Sequence, residues 1–360
     1  MTFEEARAAF PVLARVAYLN AGSTGPLARA TVEAMTAAAQ RDLEHGRGGK
    51  AYYDEMMRLR EEVRTRLAAL LGVDAANVAL TSSTTDGCNI VVSGLGLRPG
   101  DEVVTTDGEH PGLLAPLHMS GARIVVAPAA KRPAAEALET ILAAITPRTR
   151  LLALSHVLWL TGQVMPLDEL KAATGLPILG DGAQSVGAMP VDVGELDFYT
   201  VSGQKWLCGP ETTGALYVRD PERLRVALPT YLSQQAIERD GAFVPTDGAA
   251  RFDFGWIAPA ALAGLEAAID GAPADRFELA SRAAARCREA LAAAGYDVVT
   301  EAGQATLVTW VARGEPAADA ARLYERGVIV RDLPGTPWLR ASCGWWTTDE
   351  HVERLVAGLA

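Results

Sequence analysis

RLLALSHV at 150–157, LPILGD at 176–181 and DFYTVS at 197–202 are apolar runs separated by longer amphipathic segments. That alternation is the pattern of strands feeding helices in a parallel α/β sheet. The same alternation extends over residues 51–229, with NVALTS (77–82), DEVVTT (101–106), RIVVAP (123–128) and GALYVR (214–219) as further strands. Seven strands, mainly parallel, are therefore expected. Beyond residue 250 the chain changes to long Ala-rich helical stretches, then LVTWVA, GVIVRD, WLRASC and the closing helix TDEHVERLVAGLA. Thr348 is a good N-cap for that helix, and Asp349 and Glu350 suit its positive end. The expected organisation is a large α/β domain over 16–250, with 1–15 and 251–360 forming a smaller α+β domain. Residues 229–246 are polar and irregular, either a connector or a binding loop.

The chain has 360 residues, 49% of them hydrophobic, with 33 Lys and Arg against 44 Asp and Glu. It can therefore bury one large core or two moderate ones. No run approaches the length of a membrane span, and MTFEEARAAF lacks the features of a signal peptide, so a cytoplasmic location and no membrane partner are expected. Cys88, Cys208, Cys287 and Cys343 are too few and scattered for a disulfide framework, and none share CxxC spacing. The net charge of −11 opposes nucleic-acid backbones and favours small-molecule partners.

Ligands of open parallel sheets bind beyond the carboxyl ends of the strands. SSTTDG, GEHPG, SHVLWLTGQ, GDGAQS and SGQKW all follow such ends, gathering hydroxyls, His110, Asp181, Gln184 and Lys205 along one edge. The set suits a phosphorylated aromatic cofactor. Thr85 and Asp86 open a helix whose N-terminal N–H groups could hold a phosphate, or they are an ordinary cap. Lys205 is either a desolvated nucleophile or an exposed amine. Asp181 is either the partner of a protonated ring nitrogen or an N-cap. His110, ahead of Pro-Gly, can equally be a turn residue, and His156 reads as core. Ser202 and Gln184 can be loop or helix-start residues, and Trp206, Trp345 and Trp346 read as packing residues. Arg331 and Arg340 interrupt apolar strands, where an unpaired cation is costly.

The order of LNAGSTGPL, TSSTTDGCN, GEHPG, SHVLWLTGQVMPLDEL, GDGAQS, SGQKW and WLRASC resembles the class V group of fold-type I pyridoxal phosphate (PLP) enzymes, from about Tyr18 to the C-terminus. That group includes cysteine desulfurases, selenocysteine lyases and isopenicillin N epimerase. TDGEHPG, SHVLWLTGQVMPL, PTYL, RFDF and LRASCGWWTTDE are most similar to its cysteine/cystine C–S lyases. The resemblance implies that Lys205 holds PLP covalently and moves the Cα proton. It implies that Asp181 pairs with the ring nitrogen, His110 stacks on the ring and Gln184 bonds the phenolic oxygen. Thr85, Asp86 and Ser202 would surround the phosphate, with Gln204 where most members carry His. Arg340, helped by Arg331, would clamp the substrate carboxylate, and Asn20, Ala21, Gly22 and Trp159 would complete the substrate side. No metal is expected, and the resemblance implies a homodimer.

A desulfurase of this group carries a nucleophilic Cys shortly before the carboxylate-binding Arg. Between Arg331 and Arg340 this chain reads DLPGTPWL, without one. Cys343 lies in an apolar run and Cys208 in a rigid-looking turn, so persulfide transfer is disfavoured. β-Elimination from L-cystine, L-cysteine or an S-conjugated cysteine is the expected reaction. Desulfuration, amino-group transfer, epimerisation and a catalytically silent cofactor-binding protein are the alternatives. Gln234, Gln235 and Trp256 depart from the group's pattern and suggest a remodelled pocket.

Overall fold

The computed structural model describes residues 2–360. Among them a seven-stranded sheet forms from β2 (Val78–Thr81), β3 (Glu102–Thr106), β4 (Arg123–Ala127), β5 (Thr149–Ser155), β6 (Ile178–Asp181), β7 (Phe198–Ser202) and β8 (Gly214–Val218). Its order is β2-β8-β7-β6-β5-β3-β4. β8 runs antiparallel to both neighbours and every other pairing is parallel. All seven expected strands form, in the mainly parallel arrangement anticipated.

These strands are apolar on both faces because helices cover both. On one side Leu59, Val63 and Leu67 of the helix Gly49–Leu71 pack with Leu80, Leu152 and Leu154. On the other, Val91, Leu113 and Leu117 pack with Val103, Leu151 and Leu179. That is the burial pattern a parallel sheet requires. Arg60 and Arg64 of the helix Gly49–Leu71 are buried, and both donate to Asp253, at 2.7 and 2.9 Å. Asp253 also accepts from Leu80 N–H, so one carboxylate ties that helix to β2.

The smaller sheet is antiparallel: β14 (Trp338–Ser342) lies between β11 (Leu307–Val311) and β13 (Arg331–Asp332). A second short pair joins the two ends of the chain, with β1 (Ala17–Tyr18) parallel to β12 (Val328–Ile329). The helix Pro259–Asp270, which sequence assigned to the smaller domain, sets Leu262 and Leu265 into the core of the large sheet. Residues 229–246 contain a small hairpin, β9 (Gln234–Ile237) against β10 (Phe243–Pro245). No helix among the described residues is long and apolar enough to cross a membrane.

Candidate active site

A cavity of about 280 Å³ opens beyond the carboxyl ends of the large-sheet strands, closed on its far side by β13 and β14 of the small sheet. Lys205, three residues past β7, lines it and is paired with no carboxylate among the described residues. Burial, and Arg340 nearby, pull the amine down to about 8, while Asp181 opposes the shift. A minority of Lys205 is therefore uncharged at neutral pH and the share grows through mildly alkaline pH; the uncharged amine is the form that acts as nucleophile or base.

Arg340 reaches the cavity from the middle of β14 and is 1% exposed. Nη1 donates to the Trp159 carbonyl at 2.7 Å, Nε has no partner, and no carboxylate pairs with the group. Burial and the neighbouring Arg331 weaken its hold on the proton. A buried fork of donors lacking an anion is a receptor for one. Gly22 makes room for it: a Cβ there would stand 2.9 Å from Arg340 Nη2 and 2.8 Å from Ser342 Oγ. Arg331 also lines the cavity and is exposed.

On the opposite wall His110 caps the helix Pro111–Met119, its Nδ1 accepting from Gly112 N–H at 3.0 Å. The ring proton therefore sits on Nε2. Burial, then the charge of Lys205, lower its pKa, so the ring is neutral. Trp159 meets it edge to face at 5.2 Å, and the indole N–H of Trp159 is buried without a partner. Asp181 ends β6 with 3% exposure; its Oδ1 accepts from Ala183 N–H and Thr200 Oγ1, leaving Oδ2 without a hydrogen bond among the described residues.

Ser83, Thr84 and Thr85 line the end of the cavity where the helix Thr84–Leu95 begins. Ser83 caps that helix by accepting from Asp86 N–H. The Asp86 carboxylate turns back to Ser82 N–H and Oγ. Ser202 donates to Gln204 Oε1 at 2.8 Å, and both line the cavity. Gln184 donates to the Gly22 carbonyl and accepts from the Trp206 indole, which fixes its amide and leaves one N–H to give. Asn20 accepts from Ser23 Oγ, and Ala21 is fully buried; from that segment Gly22 and Ser23 reach the cavity wall.

Ser83 and Thr84 belong to the SSTTDG junction, and Ser23 to the segment that follows Asn20, both of which the sequence pointed to without singling out these three residues. Glu109 was missed: it is 5% exposed beside His110, accepting from Thr106 Oγ1 at 2.7 Å and Ser155 N–H at 2.9 Å. Burial raises its pKa to about 7, with Asp181 adding to the shift. His156 bonds the Tyr199 hydroxyl away from the cavity, as a core residue. All four cysteines are buried and free, and none lines the cavity among the described residues. Gln234, Gln235 and Trp256 are not on its wall; Trp256 stacks on Tyr231 at the surface.

The chain as a whole is similar to known enzymes in sequence and in fold. The isopenicillin N epimerase of Streptomyces clavuligerus is 31% identical over 99% of this chain and 97% of its own length. A cysteine desulfurase of Salmonella agona is 29% identical over 100% and 98%. The cystine C–S lyase C-DES, solved with its product cysteine persulfide, superposes with a TM-score of 0.89 at 30% identity, covering 97% of this chain and 98% of that one. A C-DES mutant with glycine covalently linked to its PLP cofactor gives 0.90 at 30% identity over 98% of both chains. The sequence profile of the aminotransferase class-V family matches residues 17–355, and this chain belongs to that family.

Proposed function

We propose that this chain is a PLP-dependent carbon–sulfur lyase that converts a cysteine derivative, L-cystine, L-cysteine or an S-conjugate, to pyruvate, ammonia and a thiol or persulfide. One observation carries the choice among the family's reactions: Lys205 and Arg340 share a cavity that no cysteine lines among the described residues. Burial pushes the Cys208 thiol far up, and the neighbouring Cys287 thiol, with burial, does the same to Cys343, so neither supplies the thiolate that persulfide transfer needs.

The residues present fit the cofactor. Asp181 offers a carboxylate oxygen with no other partner for the ring nitrogen, His110 a neutral ring face, and Gln184 its remaining N–H for the phenolic oxygen. Ser83, Thr84, Thr85 and Ser202 supply donors for the phosphate, with the helix start of Asp86 behind them. When bound, PLP supplies the electron sink that stabilises negative charge at the substrate Cα.

Arg340 binds the substrate carboxylate, assisted by the exposed Arg331, and so fixes which Cα–H bond faces Lys205. The uncharged Lys205 amine takes the Cα proton. The electron pair left behind forms the Cα–Cβ double bond as the Cβ–S bond breaks, and sulfur departs with the pair of that broken bond. One water then completes hydrolysis to pyruvate and ammonia, so the reaction needs no oxidant or reductant. A positioned proton-transfer group contributes about 10² to 10⁴ in rate. Asn20, through its bond with Ser23, and Trp159, through its carbonyl to Arg340, shape the substrate side, with the buried Ala21 beside Gly22.

The exposed pair Tyr231 and Trp256, with Phe254 beside them, supports pairing with a second copy of this chain. Light scattering that gives twice the chain mass is the expected result.

The function is tested by product analysis on PLP-reconstituted protein with L-cysteine, L-cystine and several S-substituted cysteines. Pyruvate in step with released sulfur is expected, with turnover and borohydride trapping of the cofactor both lost in Lys205→Ala. Alanine and persulfide as products would refute the lyase reading in favour of a desulfurase.

A further inference from the structure

A second cavity, of about 310 Å³, lies where the two domains meet, and shares no residue with the active-site wall. Its base is Gln163, which is 6% exposed and whose amide Nε2 is buried without a partner. A buried N–H left unpaired costs stability unless something accepts from it. From the small domain come Gln304 and Glu301, each half committed: Gln304 Oε1 accepts from Val164 N–H at 2.8 Å and Glu301 Oε1 accepts from Ala134 N–H at 3.1 Å. The amide nitrogen of Gln304 and the other carboxylate oxygen of Glu301 remain available. Arg132 lines the cavity from the large domain; its pairing with Glu136, at 3.3 Å, is between exposed groups and is readily exchanged.

The cavity therefore presents two amide donors and a guanidinium together with a carboxylate, one cation against one anion. A simple anion would meet Glu301, and a simple cation would meet Arg132. We propose that this inter-domain cavity binds a small zwitterion of the amino-acid class. The carboxylate of that ligand accepts from Gln163, Gln304 and Arg132, and its ammonium donates to Glu301. Gln163 lies on the loop that carries Trp159, whose carbonyl holds Arg340, so the ligand would sit directly behind the active-site wall. Thr300 Oγ1 already donates to the Thr161 carbonyl of that loop at 2.6 Å, so the loop is braced from the small domain.

The test uses N,N-dimethylglycine, a zwitterion without the primary amine needed to react at the cofactor. Titration calorimetry is run on PLP-loaded protein carrying Arg340→Met, which removes the active-site carboxylate receptor. One equivalent of binding is expected, weakened about tenfold or more by adding Gln163→Leu. The exposed Glu301→Gln, whose folding is not in question, should weaken it similarly. Propionate, a carboxylate without the ammonium, should bind about tenfold less well. No binding to the Arg340→Met protein, binding indifferent to both added substitutions, or propionate binding equally would each overturn the proposal.

Discussion

Replacing Glu109 with Gln should remove a pH dependence of stability that the native chain carries. Glu109 is buried among Thr106, Ser155 and the field of Asp181, and its pKa stands at about 7 against an ordinary 4.5. The unfolded chain releases this proton as pH passes 4.5, whereas the folded chain keeps it until about 7. Unfolding gains in that window, so the stabilising contribution is complete below pH 4.5 and is lost as pH rises through 7. Converted at the cost of one pKa unit, the full loss is about 3 kcal/mol, most of it between pH 5 and pH 8. The E109Q side chain can accept from Ser155 N–H and donate to the Thr106 hydroxyl, so it suits the site without titrating. Urea unfolding at one protein concentration should show E109Q gaining on the native chain by about 2 to 3 kcal/mol from pH 5 to pH 8. An offset between the two proteins that is the same at both pH values would refute the reasoning.

Arg340→Met should leave the urea midpoint unchanged or raised, because a buried cation without an anion is exchanged for a packed apolar chain, while the KM for the amino acid rises by about two to three powers of ten. Asp253→Asn should cost about 3–5 kcal/mol in urea unfolding, since Arg60 and Arg64 would both be left buried without their carboxylate. For cofactor-free protein, the rate of PLP capture followed by absorbance should climb with pH and level off above about 8, as burial has lowered the Lys205 pKa. A rate still climbing steeply above pH 9 would mean an ordinary amine, to be set against the value of about 8.

The large sheet was legible because each of its strands is a short apolar run set between amphipathic helices, and all seven were found. The contact of the helix Pro259–Asp270 with the large-sheet core was not legible, because its Ala-rich sequence states that it is buried but not against what; Leu262 and Leu265 meet that core only through the folded chain. Lys205, Asp181, His110 and Arg340 announced themselves by standing at strand ends or inside apolar strands. The freedom of the Arg340 fork, by contrast, depends on which neighbours fail to pair with it, and no local pattern encodes that. Gln184 was visible as a site residue, but its double commitment to Gly22 and Trp206 was not. Glu109 was hidden by its neighbour, since GEHPG reads as a turn around His110 and gives no sign that the acid faces inward.

The order in which the site is completed follows from the pairing of the chain's two ends. β1 has its strand partner in β12, and Asn20 bridges Ser342, so these residues have their neighbours in segments made much later. Contacts this distant in sequence form late, because the intervening loop must be closed before they contribute. During synthesis the large sheet can assemble around its own strands while the segment ending in Gly22 and Ser23 still lacks the surface it rests on. A nascent chain stopped before β14 would contain Lys205 and no Arg340, so the proposed carboxylate receptor is absent until β14 has been made.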